Sequence, residues 1–317
     1  MKVLIVSSAT NGKTASFIQE QIESLNALGI DIHQFTINQK GVSGYLNTFP
    51  KLRKVLRKLK PDLIHAHYGL CGLLCNLQRR IPVVTTYHGS DINVPKSRRF
   101  SKWSVRFSAS NIYVTSHLRV QVADTRGNEV PCGVDTSLFV PKEKNVSQIA
   151  LNWDTSKKYA LFSSSFDNAI KNSPLALAAV ENYNAKHREQ VTLMELKDMT
   201  REQVVLAINA CEFVLLTSYS EGSPQIIKEA LACNRPIVST NVGSVEEMVS
   251  HLEGCYVVDS TIKGTISGIC EAMKYSANNH STNGRERIKE QGLSLDKTAD
   301  RLKSIYNSVL TTKSKQS

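Results

Sequence analysis

Short apolar runs alternate with helix-length amphipathic segments along this chain, and the alternation is completed twice. In the first half the runs stand at 3–6, 30–37, 62–66, 81–86 and 111–115; in the second they stand at 159–163, 191–196, 212–217, 236–239 and 254–258. Between the first two runs, Phe17, Ile18, Ile22, Leu25 and Leu28 recur at helical spacing, and 174–183, 201–209 and 224–233 read as helices of the second half. Strands that alternate with helices pack as parallel sheets covered on both faces. Two consecutive sets predict an α/β chain of two doubly wound, Rossmann-like domains, each taking ligands at the carboxyl ends of its strands. A length of 317 residues suits two such domains. The polar, proline-containing stretch 140–148 reads as the linker. The expected domains are therefore 1–145 and 146–295, with 296–317 a C-terminal helix returning to the N-terminal domain and a frayed polar tail.

Composition narrows the setting. No apolar run approaches the roughly 18 residues that a membrane-spanning helix needs. The opening MKVLIVSSA reads as a buried first strand rather than a secretion signal, because Asn11-Gly12-Lys13 interrupts it early. Seven scattered cysteines, an odd number without a Cys-x-x-Cys pair, behave as small core residues and favour a reducing, cytoplasmic setting. Residues 1–145 hold 20 Lys and Arg against 9 Asp and Glu, an excess equal to the whole net charge of +11. The N-terminal half therefore faces an anionic partner.

Two stretches carry candidate chemistry. SSATNGKT, residues 7–14, follows the first strand and half-matches a P-loop, but Ser7 stands where that motif needs its first glycine. The segment 217–249 is richer. There a buried strand ends in a loop and a helix follows, with Ser223 as expected N-cap, Pro224 at the first helical position, and Ile226, Ile227, Ala230 and Leu231 inward. Glu221 precedes the cap, and Glu229 lies about a turn and a half into the helix, partly shielded. Two carboxylates thus flank a helix N-terminus, whose amides favour oxygen-rich ligands. Either glutamate alone reads as an ordinary surface carboxylate.

Glu, seven residues and Glu, within EGSPQIIKEALACNRPIV, resembles the signature of the retaining family 4 glycosyltransferases, which have the GT-B fold of two Rossmann-like domains with a cleft between them. Residues 61–91 with the turn His88-Gly89-Ser90-Asp91, the segment Pro131–Asp135 with Phe139, and FSSSFDNAIKNSPLA at 162–176 resemble further parts of that family in the same order. The resemblance implies that Glu229 accepts ribose hydroxyls of a nucleotide-sugar of UDP or GDP type. Glu221 would lie beside the transferred sugar and stabilise positive charge at its anomeric carbon. Ser223, Pro224 and Gln225 would hold sugar or phosphate through their loop, and Ser165 and Lys171 would belong to the donor-phosphate loop. Lys171 would neutralise the leaving diphosphate, so no metal and no cofactor is expected. His88 would approach the donor sugar from the first domain, and Asn11 and Gly12 would bring backbone close to it, which makes the P-loop match a coincidence. The leaving diphosphate would itself take the acceptor's proton. Two departures stand out: Ser165 occupies a position where the family commonly has arginine, and Gly12 replaces a pair of glycines.

The acceptor implied by the resemblance is a saccharide or a lipid-linked sugar, in bacterial polysaccharide, glycolipid or glycoconjugate synthesis. KLRKVLRKLK at 51–60 sets Leu52, Val55, Leu56 and Leu59 on one stripe beneath Lys51, Arg53, Lys54, Arg57, Lys58 and Lys60. A second basic group, Lys96, Arg98, Arg99, Lys102 and Arg106, is interleaved with Phe100, Trp103 and Phe107. Such faces are attracted to anionic headgroups, so the expected location is cytoplasmic and peripheral on the membrane. His65 and His67, two apart on one strand, face the same side, at the core or at the rim. Alternatives are a nucleotide-sugar epimerase or phosphorylase of the same fold. A nucleic-acid-binding protein or P-loop ATPase stands further off, and nucleic acid is not an expected partner.

Overall fold

The computed structural model describes residues 1–9, 12, 14–279 and 281–314. Two compact units emerge: Met1–Gly133 together with Leu295–Ser317, and Val134–Ser294.

The first unit is built on six parallel strands: β1 (Lys2–Ser8), β2 (Asp31–Ile37), β3 (Leu63–His67), β4 (Val83–Tyr87), β5 (Ser110–Tyr113) and β6 (Asn128–Glu129). Their order is β2-β1-β3-β4-β5-β6, so the winding reverses between β1 and β3. Residues 3–6 are wholly buried because this strand is covered on both faces. Val3 and Ile5 meet the helices Ser16–Ala27 and Leu295–Ser314 through Ile18, Leu25, Ala299, Leu302 and Tyr306. Leu4 and Val6 point the opposite way, toward Leu52 and Leu56 of the helix Gly41–Leu59. A run without polar interruptions thus serves two cores by simple alternation.

One contact in this unit is made without large side chains. Gly69 and Gly72 of the helix Gly69–Asn76 face Ser101 and Ser104 of the helix Pro95–Phe107. A Cβ on Gly69 would lie 2.1 Å from Ser101 Oγ, and one on Gly72 would lie 2.2 Å from Ser104 Oγ. The serines, not the aromatics, are the buried residues of the second helix, which leaves Trp103 63% exposed.

The second unit has five parallel strands: β7 (Lys158–Phe162), β8 (Val191–Glu195), β9 (Phe213–Leu216), β10 (Ile237–Thr240) and β11 (Cys255–Val258), ordered β11-β10-β9-β7-β8. Tyr159, Leu161, Val214 and Leu216 face one core, while Ala160, Phe162, Phe213 and Leu215 face the other. Its winding reverses between β7 and β9, so the loops after those two strands flank a crevice where such sheets take ligands. Residues 140–148, polar enough to read as a linker, are fastened to this unit and include the start of the helix Lys144–Ala150. Asn209 donates to Val140 O and accepts from Lys142 N, Arg235 donates to Lys142 O, and Lys144 pairs with Glu212 at 2.7 Å. Protein partners thus hold the backbone of this stretch, although most of its side chains are exposed.

Candidate functional site

The loops after β7 and β9 bring Lys171 and Glu221 into direct contact. Lys171 ends a single 3-10 turn, Ala169–Lys171, whose start is capped by the Asn168 side chain. Its carbonyl, and that of left-handed Asn172, accept hydrogen bonds from Thr217 Oγ1, both at 3.0 Å. Tyr219 N also donates to Ile170 O at 2.9 Å. The two loops are therefore sewn together by backbone before any ligand arrives. Lys171 Nζ lies 2.7 Å from Glu221 Oε1, which Ser218 Oγ also approaches at 2.7 Å. These two side chains keep 19% and 14% of their surface, so the pair is shielded but reachable.

The following helix runs Gln225–Ala232, and Pro224 is its cap residue, one place later than expected for the N-cap. Ser223 does not cap the helix. Its hydroxyl bonds Lys228 Nζ and Ser244 Oγ, each at 3.1 Å. Gly243 makes this approach possible, since a Cβ there would stand 2.1 Å from Gly222 O. Lys228, one turn inside the helix, is fully buried, and its ammonium adds to the positive end of the helix dipole. Glu229 is almost completely buried, further than the sequence suggests, because Arg201 reaches it at 2.7 Å. The Arg201 guanidinium also lies over the Phe139 ring at 4.7 Å. Ser165, the residue in the arginine position, closes a turn with Asp167, which pairs with Lys197. Gln225 opens the helix beside the cap.

In the first unit, His65, His67 and His88 stack at the carboxyl ends of β3 and β4, with ring centroids 4.5 and 5.1 Å apart. His65 and His67 share one side of β3, as their spacing requires, and both are wholly buried. Burial lowers the His65 imidazole to about 3. Burial, then the neighbouring His65 and His88, hold His67 well below the usual histidine range. His65 bonds Tyr306 Oη and Thr86 Oγ1, at 2.5 and 2.7 Å. His67 Nδ1 meets His88 Nε2 at 2.9 Å. Asp91 fixes the turn that carries His88: its carboxylate accepts from the amides of His88, Gly89 and Gly69, each at 3.0 Å. Burial outweighs those amides and pushes the Asp91 carboxyl up to about 6. Gly89, at φ +120°, supplies a conformation closed to other residues. Gly12 is exposed in a left-handed turn, and the helix after it begins only at Ser16, too late for a P-loop, whose Lys-Ser/Thr leads directly into its helix. Asn11 lies outside the described residues.

The profile described as Glycosyltransferase Family 4 matches residues 2–138, and that of Glycosyl transferases group 1 matches residues 157–274. The chain belongs to glycosyltransferase family 4. An N-acetyl-alpha-D-glucosaminyl L-malate synthase of Bacillus anthracis is 25% identical, over 89% of this chain and 84% of its own. An uncharacterized glycosyltransferase of Methanocaldococcus jannaschii is 25% identical over 66% of this chain, and a putative teichuronic acid biosynthesis glycosyltransferase of Bacillus subtilis is 27% identical over 61%. The match spans 64% and 56% of the length of those two relatives, less than two thirds in each case. Among solved structures, sucrose-phosphate synthase of Thermosynechococcus elongatus superposes with a TM-score of 0.80 at 17% identity, covering 98% of this chain and 99% of that one. An Anabaena protein solved with UDP-glucose superposes at 0.71 with 17% identity, covering 97% and 100%. The chain therefore has the GT-B fold that the family resemblance implies, with the two doubly wound domains that its alternating strands and helices predict.

Arg201, Lys228 and Ser218, which sequence reading does not single out, contact Glu229, Ser223 and Glu221 respectively. Arg201 opens a helix behind a Thr200–Gln203 capping box, which looks like ordinary helix chemistry. On the basic helix, Lys51, Arg53, Lys54, Arg57, Lys58 and Lys60 are all exposed, while Leu52 and Leu56 are buried. Arg99 is exposed as well, but Arg98 is not part of a solvated face. Its guanidinium donates to the carbonyls of Ile92 and Asn93, at 2.6 and 3.3 Å, closing the short helix Ser90–Asn93. Among the described residues, no group of three His, Cys, Asp or Glu side chains is arranged to hold a metal, and no helix is long and apolar enough to cross a membrane.

Proposed function

We propose that this glycosyltransferase takes a UDP- or GDP-type sugar onto its second unit and moves the sugar, with retention of anomeric configuration, to a saccharide or lipid-linked acceptor. The observation that carries this reading is the Lys171–Glu221–Ser218 cluster at the winding reversal of the second sheet. The UDP-glucose held by the structurally similar Anabaena protein supports a nucleotide-sugar donor.

In this mechanism Lys171 exchanges its carboxylate partner for the diphosphate and neutralises charge as the bond to the sugar breaks, so no metal is needed. Stabilisation of that kind is strongest where water is scarce. Glu221 is released by the exchange to bind a sugar hydroxyl and stabilise the anomeric centre. Glu229 accepts the ribose hydroxyls; its carboxylate has lone pairs beyond those that Arg201 engages. Ser223, Pro224, Gln225 and Ser165 shape the phosphate and sugar pocket, Gly12 and Asn11 supply close backbone, and His88 donates to the sugar. The diphosphate takes the acceptor's proton on the same face. Following the anomeric proton of donor and product by NMR tests this, and an inverted product rules it out. In a thermal-shift screen of UDP- and GDP-sugars, one donor raises the melting temperature of the wild type, and Glu229→Gln removes that rise.

The exposed basic helix and Trp103 support a reading in which the first unit rests on an anionic membrane surface facing the cytoplasm and takes a lipid-linked acceptor of polysaccharide or glycolipid synthesis. Each basic residue near such a surface contributes about 1 kcal/mol. Cosedimentation with phosphatidylglycerol vesicles is expected at low salt, and should be lost when Lys51, Lys54, Arg57 and Lys58 are all changed to Glu. Equal binding to neutral phosphatidylcholine vesicles would contradict this electrostatic account.

A further inference from the structure

The three histidines of the first unit form an ordered series of hydrogen bonds, and its chemistry fixes which nitrogen of His88 carries hydrogen. Gln21 Nε2 lies 3.4 Å from His67 Nε2, and an amide nitrogen can only donate. His67 Nε2 therefore accepts. His67 is wholly buried and held neutral, so its single hydrogen sits on Nδ1 and points at His88 Nε2, 2.9 Å away. His88 Nε2 must then accept, which leaves its own hydrogen on Nδ1.

The other neighbours are consistent with this direction. His65 has both nitrogens engaged by the hydroxyls of Tyr306 and Thr86, so it stacks on His67 without competing for its nitrogens. The Cys132 sulfur, a weak acceptor, lies 3.7 Å from His88 Nδ1. A ligand oxygen is a better acceptor than a thiol and can take its place. Phe17 and Tyr68 flank the His88 ring at 5.0 and 4.8 Å and hold its plane.

We infer that His67, oriented by Gln21, is a positioning residue that locks His88 as its Nδ1–H tautomer, so that His88 meets a sugar oxygen as a donor and not as a base. This deepens the proposed role of His88 and rests on it. The tautomer itself can be read without any substrate.

The test is a long-range proton–nitrogen correlation spectrum of the full chain labelled with 15N-histidine, near pH 7.5. In the expected spectrum, the unprotonated nitrogen of His88 couples to both Hε1 and Hδ2, the pattern of Nδ1–H. Coupling of that nitrogen to Hε1 alone means Nε2–H, and overturns the inference. His67→Asn places an amide donor near the position of Nδ1 and is expected to keep the pattern. His67→Leu is expected to lose it and to lower kcat/KM by about tenfold, the worth of one buried hydrogen bond. An unchanged His88 pattern in His67→Leu also overturns the positioning role. If His88→Ala transfers sugar as fast as the wild type while the wild-type spectrum shows Nδ1–H, the ladder stands and the donor-sugar role of His88 fails.

Discussion

Replacing Lys171 by alanine is expected to lower kcat by about 100- to 1,000-fold, the range for losing one preorganised group that faces developing negative charge. The loop should survive the change. Its shape is held by Thr217 bonding the carbonyls of residues 171 and 172 and by the Asn168 cap, none of which uses the lysine side chain. Glu221 keeps Ser218 as a partner. Lys171→Arg retains charge but spreads it over a planar fork, so an intermediate loss is expected. Steady-state kinetics with a saturating donor, read beside the melting temperature of each variant, separate chemistry from folding. A rate within threefold of the wild type at an unchanged melting temperature would falsify the assignment of Lys171 to the leaving group.

Arg201→Ala should be the most damaging single change to stability in the second unit, at roughly 3 kcal/mol. The Glu229 side chain has 4% of its surface exposed and Arg201 25%, so the arginine is the carboxylate's link to a polar environment. Its removal leaves a buried charge without that partner, and the Phe139 ring loses its cation. The cost is that of an orphaned ion, not the net worth of the pair. Glu229→Gln in the Arg201→Ala background is therefore expected to recover more than half of the loss. Urea unfolding of the two single variants and the double variant closes the cycle. Additive losses would mean that the pair is not coupled.

The fold was legible because each β-strand is short, apolar and followed by a helix, and parallel strands buried on both faces leave that imprint on composition. The placement of the two glutamates was legible as well, Glu221 in the loop and Glu229 in the helix that follows it, whereas their roles come only from the family resemblance. Arg201 was not, because the turn after β8, not any local pattern, delivers it to Glu229. Lys228 carries no signal in the sequence, and only the structure shows it enclosed, with its ammonium bonded to the Ser223 hydroxyl. Arg98 illustrates the opposite error. Counting charges placed it on a membrane-facing surface, whereas the carbonyl end of a four-residue helix had already claimed it. The stretch 140–148 was misleading for a similar reason, since polar side chains look alike whether water or Asn209 and Arg235 satisfy the backbone around them.

The helix Leu295–Ser314 gives the molecule an order of assembly. Ala299, Leu302 and Tyr306 are part of the same core as Val3, Ile5 and Ile18, although nearly 300 residues separate them along the chain. All of Val134–Ser294 lies between. On the ribosome, the residues of the second unit are therefore complete while the first, synthesised earlier, still lacks one wall of its core. The usual sequence, in which N-terminal domains close first, is inverted here. Until Tyr306 emerges, buried His65 has no hydroxyl at its Nδ1, and one apolar face of the nascent N-terminal sheet, covered only in part by the helix Ser16–Ala27, is presented to the chaperones of the cell.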